Sequence, residues 1–380
     1  MMKSQSSAGR WRVAVGMLSL LATGNAYAEP NTEAGWTDAF QNEHNTAWSG
    51  SDQGNSIRTT GNNQVYFIHG DTYTMDEQID SGGRGAGAYL EHSPAGVNNS
   101  LVRYIWYGAD VVEPATAASE AVPSPPGTHL WGMDLTEANG AVYALLADGT
   151  NYTFNAGGYL AKFDENSDGT LTRSTDVIAL PFDADRRIHW NNSIVNLSDT
   201  IYVYGSDDLN NTYVSRIPAG AIDYGFLGSW DISYFTSNGW SADQAAALPI
   251  SAHVFRSVRA ANGYLAATYR DNGYEAGGAF GMVRTATDDP EFQSASQKSQ
   301  TFTNPLVEAG QYTSAGNVSD PAYSVRVWTY CPTLHPELAP SSDTSLLVAI
   351  AWNVWDYGDT MKNAQAYKPR FFTVPSPNVW

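Results

Sequence analysis

Apolar residues in this chain come in short strand-length runs, not in helical stripes. One unit recurs. A polar or aromatic residue opens it, a short strand follows, and a turn rich in Gly, Asn, Asp or Ser leads into a second apolar strand that ends on a polar residue. The units span residues 51–71, 131–148, 190–207, 255–271 and 335–353. Gly61-Asn62-Asn63, Asn139-Gly140, Ser198-Asp199 and Asn262-Gly263 supply hairpin chemistry between the strands. Anchored on Tyr66, Tyr143, Tyr202, Tyr264 and Leu347, the units repeat roughly every 60–80 residues, room for the four strands of one propeller blade. The pattern predicts an all-β fold, a five-bladed β-propeller over residues 29–380. A β-sandwich is the alternative, but it needs no five units at such spacing. Helical periodicity is weak outside 241–248, which reads as one or two turns. The Ala-, Pro- and Ser-rich stretch 113–126 reads as an exposed connection between the first two blades.

Composition agrees with strands and turns: 34 Gly, 22 Tyr, 12 Trp and 13 Phe against 16% charged residues. Residues 1–28 read as a secretory signal peptide. Lys3, Arg10 and Arg12 precede the short apolar run 13–21, and Ala26-Tyr27-Ala28 closes it. No later run is long enough for a membrane span, so a periplasmic or extracellular monomer is expected. The net charge of -19 would repel nucleic acid and anionic membranes, which points to a neutral or cationic partner. The single cysteine, Cys331, allows no internal disulfide and no Cys-based zinc site. No metal or cofactor is expected either. Residues 164–169 resemble the start of a calcium loop, but Thr175 stands where the closing Glu belongs. His189 and His335 lack metal-ligand spacing. The Gly-rich run 81–85 does not follow the phosphate-loop pattern.

In a propeller, residues at the mouths of the inner strands converge from distant parts of the sequence. Here the openings supply Asp52, Asp134, Trp190 with Asn192, His253 with Arg256, and His335 with Glu337. Asp71 closes the first hairpin, which should bring it near Asp52. Glycoside hydrolysis needs such a pair, one carboxyl protonated to donate to the leaving oxygen and the other ionised. Mutual repulsion produces that split. Trp48, Trp131, Trp190 and Trp352 could stack on sugar rings. A single Asp at a strand end is also an ordinary turn former, so the case rests on convergence.

Trp48-Ser49-Gly50-Ser51-Asp52, the hairpin through Tyr66-Phe67-Ile68-His69-Gly70-Asp71-Thr72, Asn98-Asn99-Ser100, Trp131-Gly132-Met133-Asp134, Ile201 to Gly205, Tyr213 to Pro218 and Tyr330 to Leu338 resemble a family of five-bladed propellers formerly of unknown function. Some of its members are classed as glycoside hydrolase family 183, endo-D-arabinanases. The resemblance implies a polysaccharide or oligosaccharide substrate and assigns catalysis to Asp52 and Asp71. His69 and the composition of 74–89 depart from the family pattern, and loops set the substrate. Three functions follow as expectations: a glycoside hydrolase, a non-catalytic glycan-binding propeller, and a polysaccharide lyase using Arg256, His253 and tyrosines.

Overall fold

A computed structural model gives the architecture. It describes residues 30–41, 50–51, 54–70, 72–73, 78–79, 85–86, 96–97, 100–107, 110–112, 121–124, 128–149, 157–174, 177–222, 231–270, 279–294, 296–302, 318–320, 325–354 and 369–380.

The second unit shows why these residues form strands. Ala141–Asp148 pairs with Leu130–Ala138 on one edge and Gly158–Glu165 on the other, and all eight of its residues are buried. Val142, Ala144 and Leu146 enter one apolar cluster, while Tyr143, Leu145 and Ala147 enter another. A strand covered on both faces reads as a continuous apolar run, not as an alternation.

Four antiparallel sheets share one plan, with strands laid side by side in chain order. Sheet 1 contains Asn55–Arg58, Val65–His69, Ser100–Tyr107 and Asp110–Val112. Sheet 2 contains Leu130–Ala138, Ala141–Asp148 and Gly158–Glu165, with Leu171–Arg173 and Ile178–Ala179 both on its third strand. Sheet 3 runs from His189–Leu197 through Thr200–Ser206, Thr212–Pro218 and Ser233–Thr236 to Gly239–Ser241. Sheet 4 runs from Phe255–Ala261 through Tyr264–Arg270 and Phe280–Ala286 to Lys298–Phe302. The C-terminal sheet keeps the chain order but its innermost strand is not its first, so the structure shows four like blades and not the expected five. Its long strand Val325–Leu334 lies second in the order Val318–Asp320, Val325–Leu334, Ser345–Val354, Arg370–Pro375.

The first strands of sheets 1 to 4 touch one another in succession, and Val325–Leu334 follows Phe255–Ala261. These five are the inner strands. Apolar clusters fill the gaps between successive sheets. A further cluster joins Val65 and Phe67 of sheet 1 to Leu347, Ala349 and Phe371 of the C-terminal sheet. The result is an all-β, propeller-like arrangement.

Two local expectations change. The sequence pattern puts the fifth unit at 335–353, but the strand that precedes the turn is Val325–Leu334, and 335–344 form the turn before Ser345–Val354. The two prolines at 336 and 340 fit a turn better than a strand. A helix that the periodicity did not announce, Glu33–Gln41, packs on the Arg370–Pro375 edge. Thr32 caps it, its Oγ1 accepting from Gly35 N at 2.9 Å. Trp36 and Phe40, four residues apart and fully buried, meet Phe67 and Phe371. The short helical stretch expected near 241–248 is a 3-10 turn, Gln244–Ala246, capped by Asp243. No helix among the described residues is long and apolar enough to cross a membrane.

Candidate functional site

Hydrogen bonds stitch the inner strands together at one height. Asp134 Oδ2 accepts from Ile194 N at 2.9 Å, Ser193 Oγ from Val258 N at 2.9 Å, and Ser257 Oγ from Leu334 N at 3.2 Å. In each case a small polar residue of one strand holds the aliphatic residue of the next. The same dipeptide recurs through the chain as Ser56-Ile57, Asp134-Leu135, Ser193-Ile194, Ser257-Val258 and Thr333-Leu334. That repeat was readable in the sequence and marks the axis of the ring.

A buried ion pair fills the centre. Arg259 donates to Asp134 through both terminal nitrogens, and Asp134 also accepts from Ser193 Oγ at 2.6 Å. Arg259 Nη2 reaches Ser56 O at 3.3 Å, so the pair touches sheets 1 to 4. Burial pushes the Arg259 guanidinium down, but the Asp134 charge outweighs it and holds the group above its ordinary value. Asn55 Nδ2 adds a 2.6 Å bond to Met133 O. Asp134 is therefore a junction of the ring, fully buried. Arg259, its partner, went unnoticed in the sequence because a lone Arg on a strand carries no spacing signal.

A second cluster joins the C-terminal sheet to sheet 1. Ser56 Oγ lies 2.5 Å from His335 Nδ1 and donates to Glu337 Oε1, while Thr333 Oγ1 lies 2.9 Å from His335 Nε2. A hydroxyl has one proton and a carboxylate only accepts, so Ser56 gives its proton to Glu337 and accepts from His335 Nδ1–H. Burial favours the uncharged ring, in which Nε2 carries no proton and accepts from Thr333 Oγ1. This is a neutral imidazole between Phe67 and Phe371, with ring centroids 5.5 Å from each. Burial pushes its pKa below the ordinary value, against the pull of Glu337. Burial pushes Glu337 up, but His335, Arg259 and Ser56 outweigh it and hold the carboxyl below its usual range. His335 and Glu337 thus lie after the end of their inner strand, not at its opening.

The other expected residues fall as follows. Asp52 and Asp71 lie outside the described residues. Their described neighbours pair antiparallel, Ser51 with Thr72 and Asn55 with Ile68. Trp190 is 1% exposed and packs on Tyr234 at 5.4 Å in the core between sheets 2 and 3, so its ring serves packing. Trp131 is partly buried over Gly149, where a Cβ would meet the indole at 2.8 Å. Asn192 is 3% exposed. His253 stacks on Tyr269 with centroids 4.2 Å apart and planes 18° apart. Arg256 is half-buried at a register shift between Phe255 and Ser257. His189, expected to pair with no metal partner, lies 3.5 Å from Asp208. Residues 166–169 form a hairpin turn, with Gly169 N donating to Asn166 O at 2.8 Å. Among the described residues no group of three or more His, Cys, Asp or Glu is placed to hold a metal.

Residues 36–377 match the family described as Domain of unknown function (DUF5005). The chain belongs to that family. No curated protein matches it. Among solved structures, it is similar to a candidate hydrolase from Bacteroides ovatus at 15% identity and TM-score 0.61, covering 90% of this chain and 88% of that one. Similarity also extends to a family 117 glycoside hydrolase from Zobellia galactanivorans (10% identity, TM-score 0.44, 86% and 83% covered). An exo-1,5-alpha-L-arabinanase from a bovine ruminal metagenomic library matches at 9% identity and TM-score 0.44, covering 89% and 98%. At these identities the first likeness supports the fold alone.

For this DUF5005 chain the geometry separates two sets of expected residues. Asp134 and the His335–Glu337 pair hold the ring together from within. Asn192 precedes the axial residue Ser193, and His253 and Arg256 precede the axial residue Ser257.

Proposed function

We propose that this protein is a secreted glycoside hydrolase whose catalytic carboxylates are Asp52 and Asp71. The observation that supports it most is the shared register of Ser51↔Thr72 and Asn55↔Ile68. Those described pairs flank the two carboxylates in the sequence, and residues that face one another across an antiparallel pair carry their side chains on one face. On this proposal the two carboxyls divide the general-acid role and the base or nucleophile role of glycosidic bond cleavage. On this reading the C-terminal sheet completes a five-bladed ring, 1–28 direct export, and the substrate is an arabinan or another furanoside cut internally. The strong negative charge favours a neutral polymer.

The test is a panel of D-arabinan, L-arabinan, galactan and a polyuronate incubated with the chain lacking 1–28. New reducing ends from a neutral polymer support the proposal. Unsaturated products absorbing in the ultraviolet would make the protein a lyase, and binding without products would make it a lectin-like propeller.

A further inference from the structure

Four inner strands are bulged at one height. The register slips at Met133 between Gly132 and Asp134, between His189 and Ser193, at Arg256 between Phe255 and Ser257, and at Cys331 between Tyr330 and Pro332. In sheets 2, 3 and 4 the first residue past the slip is the one that bonds the next inner strand: Asp134, Ser193 and Ser257. In the C-terminal sheet it is followed by Thr333, which bonds His335. The slips therefore form one layer, immediately above the axial bonds, built from four separate stretches of sequence. Bulges re-aim side chains and recur at barrel rims and beside active sites.

One side chain in this layer is unexplained by the fold. Asn192 is 3% exposed, and its Nδ2 has no hydrogen-bond partner. Its strand neighbour is fully used, since Ser193 Oγ donates to Asp134 and accepts from Val258 N. Native proteins keep few buried donors without acceptors, and those they keep call for an unmet partner. In the layer beneath, Asp134 and Arg259 neutralise each other. On the next inner strand the slip falls at Arg256, and His253, three residues upstream of it, carries the ring stacked on Tyr269.

We propose that the bulge layer is the floor of a carbohydrate site, and that Asn192 Nδ2 donates a hydrogen bond to a hydroxyl or ring oxygen of a neutral sugar bound there. This rests on the glycan reading above. An uncharged amide recognises an uncharged acceptor, which fits a neutral sugar better than a uronate. The fold does not need the amide, so a near-isosteric apolar residue should be accepted in its place.

The experiment compares wild type, Asn192→Leu and Asp52→Asn for unliganded melting temperature and for binding of neutral oligosaccharides from D-arabinan, L-arabinan and galactan. The expected result is an Asn192→Leu protein that melts at or above the wild-type temperature and binds at least tenfold more weakly. Asp52→Asn should retain binding. If wild type binds but cleaves nothing, and binding still depends on Asn192, the hydrolase reading falls and this inference stands. Wild-type affinity in Asn192→Leu would overturn the inference and leave the hydrolase reading in place. So would a melting temperature lowered by several degrees with affinity unchanged, which would give the amide a structural role. Absence of binding by wild type to every neutral oligosaccharide would overturn it as well.

Discussion

Replacing Asp134 with Ala would leave Arg259 charged and buried at the centre of the ring. Asp134 is fully buried and Arg259 has 8% of its side chain exposed. Breaking a buried pair by removing one partner costs about 3–5 kcal/mol. The Ile194 N–H and the Ser193 hydroxyl would lose their acceptor too, adding about 1–3 kcal/mol. Contributions within one network do not sum fully, so about 4–6 kcal/mol is a reasonable total. Unfolding entropy scales with length, and a chain of this size loses roughly 0.7 kcal/mol per degree at its midpoint. The melting temperature should therefore fall by about 6–8 °C, measured by calorimetry at pH 7. The pair Asp134→Leu with Arg259→Met should recover at least half of that loss, because an apolar pair carries no stranded charge. A melting temperature for Asp134→Ala within a degree of wild type would refute the reasoning and return Asp134 to the list of groups held for a substrate.

Other outcomes follow from the same packing. Trp36→Ala should cost about 3–5 kcal/mol, because the indole is fully buried against Phe67 and Phe371 and ties the N-terminal helix to both edges of the ring seam; denaturant titration measures it. Gly158→Ala should cost about 3 kcal/mol, since a Cβ there would overlap the Trp190 carbonyl oxygen, which is backbone and cannot swing aside. His335 is held neutral with its pKa below the unfolded value, so the unfolded chain binds its proton first as pH falls. Its contribution is complete above about pH 6.5 and is lost as pH falls toward the folded pKa. Melting temperature should therefore drop between pH 7 and 5, and His335→Gln should flatten that slope. Glu337, also depressed, adds a loss below about pH 4.5.

Much of the ring was legible in the hairpins. The units at 131–148, 190–207 and 255–271 coincide with the first two strands of sheets 2, 3 and 4 within a residue or two. Asn-Gly and Ser-Asp turns fix such boundaries locally, and Asn139, Ser198, Asp199 and Asn262 do adopt positive φ. The fifth unit misled because 335–344 carries the polar residues of an opening while serving as a turn. The site was less legible. Proximity to an inner strand's mouth does not fix a role, since Trp190 turns into the core and Asp134 into the axis. Facing is decided by register, and the slips in the inner strands shift it by one or two residues. Arg259 and the axial serines were missed because their partners are 60 or more residues away and visible only once sheets stack.

The account turns on the carboxylates at 52 and 71. The decisive measurement is the initial rate of reducing-end release from the cleaved polymer by wild type, Asp52→Asn and Asp71→Asn, each confirmed folded by its melting temperature. The account predicts that each substitution lowers kcat by at least about a hundredfold, as loss of a general acid or base does. A variant that keeps more than about a tenth of the wild-type rate would contradict it.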